Sequence, residues 1–167
     1  MHAISKTMLI IPKFLAVFAV LIMCTQSRVY GFDNYFPAID LMVIYYWCIY
    51  RPKLLGNGFV FLLGFFKDVL MGVSLGINAL NNLIIRMMIV RKGGHFEPTF
   101  YFLWAGFAII LMISTTIQWL LFSFLAEQWL GIGAAGKQFA VSVLIYPFVH
   151  NFFNKIYSLL PRHFVNA

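Results

Sequence analysis

The sequence predicts an all-α polytopic membrane protein of six transmembrane helices, with both termini cytoplasmic. Three observations carry this. With 62% hydrophobic and 10% charged residues and a mean hydropathy of +0.88, the 167 residues lack the polar cover that a water-soluble globule needs. Apolar runs follow one another along the chain at or near the ~20 residues that a helix needs to cross a bilayer core of ~30 Å, leaving no soluble domain over. Backbone in lipid must satisfy its own hydrogen bonds, and the alternation of a barrel is absent, so these runs are helices. The third observation is the placement of the basic residues.

The six segments are Met8–Gln26, Tyr35–Tyr50, Leu54–Val73, Leu75–Val90, Phe100–Phe124 and Phe139–Leu160, all within one integral membrane domain, residues 1–167. The second and fourth are short for a span. Lys6 and Lys13, Arg51 and Lys53, Arg91 and Lys92, and Lys155 and Arg162 mark the N-terminus, the second and fourth loops and the C-terminus, eight of the twelve cations. The other loops hold only Arg28 and Lys137, while Lys67 and Arg86 fall inside helices. The positive-inside rule then puts both ends in the cytoplasm, and an even number of spans agrees with it. The net charge of +7 is thus topology, met by anionic lipid headgroups, and no nucleic-acid partner is expected.

The first segment resembles a signal peptide, with Lys6, an apolar core and Cys24. Met23 stands where a lipoprotein site wants a small residue and no small-x-small site follows, so the segment is expected to remain as a helix. Cys24 and Cys48 fall in apolar runs and read as small buried hydrophobes. GIGAAGK, Gly131–Lys137, matches G-x-G-x-x-G, but phosphate binding needs a preceding strand, and a P-loop needs Ser or Thr where Gln138 stands. It is expected to be a flexible turn on the outer face.

No metal or cofactor is expected. His2, His95, His150 and His163 show no i, i+4 ligand pairing. Pro147 predicts a kink in the sixth helix, with His150, Asn151 and Asn154 just beyond it. Asp40 and Asp68 are the only carboxylates in the apolar runs, and an intramembrane peptidase would need two sharing a proton. Asp40 follows Pro37 at a helix start, where the dipole favours a carboxylate, and no nucleophile constellation stands out, so no catalytic residue is assigned.

The stretch GFFKDVLMGVSLG, Gly64–Gly76, carries the main candidate site. Gly64, Asp68, Gly72 and Gly76 recur every four residues, so they share one face wherever the helix continues, and small residues there admit another helix. Gly72, Ser74 and Gly76 also suit a tight reversal, glycine ending one helix and serine capping the next. Asp68 and Asn78 then lie at equal depths of about 6 Å from the turn. Asn78, Asn82 and Arg86 form a polar stripe on the fourth helix, and its Asn side chains are suitable donors to a buried carboxylate. Lys67 has no acid three or four residues away, and its stem is expected to snorkel to the outer interface. The bland account is a polar clamp closing a helical hairpin; the functional one makes that clamp the seat of a partner.

The run from Phe36 through Leu80 resembles the rod shape-determining protein MreD family, through the pattern G-x-x-x-D-x-x-x-G-x-x-x-G at Gly64, Asp68, Gly72 and Gly76. Pro37, the YYW at Tyr45–Trp47, Leu75 and the YP at Tyr146–Pro147 fit as well, and Val60 departs by standing where a further glycine is usual. The resemblance implies a non-enzymatic inner-membrane component of the bacterial elongation machinery. It implies association with MreC, and through MreC with the MreB filament and the peptidoglycan synthases of the lateral wall. Homo-oligomerisation is left open. It also implies a fold similar to the substrate-binding subunits of energy-coupling factor transporters, and so a rival function as a subunit that binds a vitamin or small solute. Such subunits dock through a small-x-x-x-small face on the first helix. Ala16 and Ala19 here are three apart among bulky residues, which makes transport the weaker reading.

Overall fold

The computed structural model describes residues 2–26, 37–92, 99–125, 127 and 132–158. These form six helices and no strand: α1 (His2–Gln26), α2 (Ile39–Tyr50), α3 (Asn57–Met71), α4 (Ile77–Lys92), α5 (Phe100–Leu125) and α6 (Ile132–Ser158). The helix count matches the expectation, and most bounds move by a few residues. The largest change is at α6, which begins seven residues before Phe139 and takes in Ile132–Lys137. Those residues are wound into a helix rather than an outer turn, because neither Gly133 nor Gly136 interrupts a run otherwise suited to helix. Tyr35 and Phe36, which the sequence placed in the second segment, lie outside the described residues, and α2 starts only after Pro37 and Ala38.

Helix α2 is the axis of the bundle. Every residue from Asp40 to Cys48 is buried, and the helix packs against α1, α4, α5 and α6. Its 12 residues span only about 18 Å, too short to cross alone, and a helix that is apolar on all sides must be enclosed by protein or lipid. Trp47, Tyr46, Met42 and Ile44 fill the centre, while Phe107 of α5 stacks on Tyr146 of α6 with ring centroids 4.2 Å apart. Cys24 and Cys48 are buried, as expected, and neither is in a disulfide.

The outside of the bundle is greasy. Phe61, Leu62 and Val69 on α3, Ile109 and Met112 on α5, and Leu144, Phe148 and Phe152 on α6 stand exposed. A soluble monomer rarely shows apolar patches on this scale. Among the described residues, α5 alone is both long and apolar enough to cross a membrane unaided.

Helices α3 and α4 form the tightest pairing, a hairpin hinged at Gly72–Gly76. Gly72, in the left-handed region at φ +65°, ends α3. Its N–H bonds Val69 O at 3.3 Å and the Val73 N–H bonds Asp68 O at 3.2 Å, the paired bonds of a Schellman turn. Asp40 sits in the first turn of α2, as expected from Pro37.

Candidate functional site

Asp68 is buried completely and serves both sides of the reversal. Its backbone carbonyl closes α3, and its carboxylate opens α4. Oδ2 accepts from Gly76 N at 2.9 Å and Ala79 N at 3.4 Å, while Oδ1 accepts from Asn78 N at 3.1 Å and Asn78 Nδ2 at 2.7 Å. A helix N-terminus leaves four N–H groups without partners and carries partial positive charge, so a carboxylate from the preceding helix satisfies both needs. The capping role expected of Ser74 is therefore taken by Asp68.

The four-residue spacing has a different meaning at each glycine. A Cβ on Gly64 would lie 2.5 Å from Ala79 Cα, so this glycine lets the α3 and α4 backbones touch. Gly72 and Gly76 lie beyond the end of α3 in open space, and their positive φ values, +65° and +101°, are what the turn needs. They extend no packing face, because Schellman closure ends the helix at Met71.

The stripe on α4 divides as well. Asn78 joins Asp68 and accepts from Gln118 Nε2 of α5 at 3.0 Å, carrying the clamp across three helices. Asn82 is buried near it, with Nδ2 free of any protein partner. Arg86 works at the other end of the bundle. It donates to Leu55 O, to Pro52 O at 3.1 Å and to Asn57 Oδ1, pinning the loop between α2 and α3. Eight residues along an α-helix is about 12 Å, which takes Arg86 out of reach of Asp68.

Lys67 does not snorkel. Its ammonium lies 2.6 Å from Asp40 Oδ2, and both side chains are buried. The acid that pairs with it comes from a different helix, 27 residues away, where spacing along α3 could not find it. Asp40 and Asp68 are thus each held by other partners and do not form a hydrogen-bonded pair.

Further polar groups converge on the same end. Asn81 Nδ2 donates to Ser114 Oγ at 2.8 Å, and Ser142 Oγ of α6 accepts from Ala38 N at 2.9 Å while donating to Gln138 O. Sequence reasoning passed over Asn81, Ser114, Gln118 and Ser142. The signal was present: Ser114 with Gln118, and Gln138 with Ser142, repeat on α5 and α6 the four-residue polar spacing seen on α4. At the opposite end, buried His150 lies among Tyr46, Tyr50, Phe100 and Tyr146, whereas Asn151 and Asn154 are exposed and do not join it.

The site is therefore a polar junction of α2–α6 at the end of the bundle where α2, α4 and α6 begin. Compared with known proteins, the chain matches the family model described as rod shape-determining protein MreD over residues 3–156. No curated protein and no solved structure matches it.

Proposed function

The chain belongs to the rod shape-determining protein MreD family, a membrane protein family, and from that premise we propose that it is a non-enzymatic inner-membrane scaffold of the bacterial elongation machinery. In this reading the six helices form a single membrane-embedded domain, with the short α2 enclosed by the others. Both basic termini face the cytoplasm, and the polar junction lies toward the outer face. The scaffold holds MreC at a set depth and orientation, so that MreC links the MreB filament to lateral peptidoglycan synthesis.

The observation that carries this reading is the use made of Asp68. The family pattern is spent on building a rigid hairpin, with the aspartate joining two helices and the glycines shaping their contact and turn. The space at Gly64 is filled by Ala79, so no partner helix enters there. What the hairpin offers a membrane helix is the apolar outer face of α3, around Phe61, Leu62, Phe65 and Val69.

The rival reading, a substrate-binding subunit of a transporter, has the polar junction in its favour. Its cavity of about 20 Å³ admits a water or two rather than a vitamin. Ala16 and Ala19, the small residues of α1, are turned into the core and present no docking face. Pull-down of tagged protein in detergent, beside Asp68→Ala and with mass spectrometry of all that is retained, tests the choice. Recovery of MreC and wall synthases, reduced in the variant, is expected. A folded Asp68→Ala protein that keeps MreC in full would overturn the clamp mechanism, and recovery of energy-coupling subunits instead would overturn the scaffold.

A further inference from the structure

Three buried polar atoms at the junction have no protein partner: Asp40 Oδ1, Asn81 Oδ1 and Asn82 Nδ2. Each residue is at most 2% exposed, and all three line one cavity of about 20 Å³ that is not fully enclosed. Lys67, Ser114 and Thr115 line it too. One water needs about 10–15 Å³ by this measure and two to four polar partners, so the cavity has both the room and the groups.

The inventory of bonds decides which chemistry fits. Asp40 gives its other oxygen to Lys67, and Asn81 gives its amide nitrogen to Ser114. Thr115 donates to Leu111 O, which leaves its oxygen free to accept. Gln118 and Gln138 line it as well, each with an amide that both donates and accepts, so the cavity presents acceptors and donors together, the donors including Asn82 Nδ2 and the remaining ammonium protons of Lys67. A cation would be repelled by Lys67, which already balances Asp40. An anion would face Asp40 Oδ1 and Asn81 Oδ1. An apolar group would leave all three atoms unsatisfied. A neutral group that both donates and accepts answers every partner.

We propose that this cavity is a hydroxyl-binding site, filled by one or two water molecules or by the hydroxyl of a lipid headgroup entering through its open side. Either occupant bridges α2 to α4, completing a junction that the protein's own groups leave unfinished.

X-ray radiolytic footprinting of the full-length protein in lipid nanodiscs tests this, because radicals formed from a bound water oxidise the side chains beside it. Leu41 and Leu111 line the cavity and are 3% and 2% exposed, so bulk radicals do not reach them, and Leu55, 0% exposed and away from the cavity, is the control. In phosphatidylcholine discs, Leu41 and Leu111 are expected to be labelled several-fold faster than Leu55. Labelling that persists in phosphatidylglycerol discs assigns water. Labelling lost only there assigns the glycerol hydroxyl, since the headgroup displaces the water. Labelling at the Leu55 level in both discs overturns the site. Asn82→Leu, which removes a donor and fills the space, is expected to lower the labelling; a folded variant that keeps it in full also overturns the assignment, and the wild-type result stands whether or not that variant folds.

Discussion

The Lys67 ammonium and the Asp40 carboxylate meet at 2.6 Å, joining the end of α3 to the first turn of α2. Neither helix satisfies its charge alone. An isolated ion in a low-dielectric interior is costly, whereas the pair is neutral, so each residue makes the other tolerable. Lys67 also precedes Asp68, which places the α2 contact and the α4 cap on consecutive residues of one helix.

Removing one partner of this pair is expected to cost more than removing both. Lys67→Met leaves Asp40 buried without its counter-ion, a loss of about 3–5 kcal/mol. The double change Asp40→Asn with Lys67→Met leaves no charge and is expected to recover much of it. Thermal unfolding of the four proteins in one detergent gives the coupling energy; losses that simply add would show that the pair contributes nothing.

The two kinds of glycine in the family pattern should respond to opposite substitutions. Gly64→Ala puts a methyl against Ala79 backbone and must push α3 away from α4, at about 1–3 kcal/mol or more. Gly72 faces open space, and only its left-handed backbone resists a side chain, so Gly72→Ala costs about 1–2 kcal/mol. Asparagine tolerates that backbone region. Gly72→Asn is therefore expected to melt close to wild type in detergent, and Gly64→Asn far below it. Equal melting temperatures for these two would remove the distinction.

Asp68→Asn should damage the hairpin almost as much as Asp68→Ala, despite its matching shape. The amide replaces one acceptor oxygen with an NH₂ group, which then faces either the N–H donors of Gly76 and Ala79, in the place of Oδ2, or the two donors of Asn78, in the place of Oδ1. Each buried donor left without a partner costs about 1–3 kcal/mol. Hydrogen exchange at residues 76–79 should accelerate in both variants. Protection unchanged in Asp68→Asn would mean that the cap is held by something other than the carboxylate.

The parts of this arrangement that sequence made legible are those governed by neighbours along the chain. The apolar runs, the turn at Gly72–Gly76 and the facing of Asp68 and Asn78 all follow from helical rise and from glycine's backbone, and the structure has them. The partner of Lys67 is not legible along the chain because it depends on how α2 packs beside α3, a relation with no local period. Ser74 looked like a cap because serine often is one, but a carboxylate held by the preceding helix competes better for the same N–H groups. Asn78, Asn82 and Arg86 are all buried on α4 but do not act as a unit, since a helix long enough to reach both ends of the bundle serves a different neighbour at each.

Arg86 gives the sharpest test of that last point. Its guanidinium donates from Nε and from both terminal nitrogens, to Leu55 O, Pro52 O and Asn57 Oδ1, three acceptors spread along the α2–α3 connection. A planar fork with donors fixed in several directions can hold a loop in this way, whereas lysine offers one ammonium on a flexible stem. Arg86→Lys keeps the charge and loses the geometry. A single ammonium cannot reproduce the three directions in which the guanidinium donates, and because Leu55 is wholly buried, its carbonyl has little water to turn to if left without a donor. The expected result is faster hydrogen exchange across residues 51–57, with residues 76–79 as protected as in wild type, because Arg86 and Asp68 stabilise opposite ends of α4. Joint loosening of both segments would show that the two ends act as one cooperative unit, and loosening of neither would show that charge alone holds the loop.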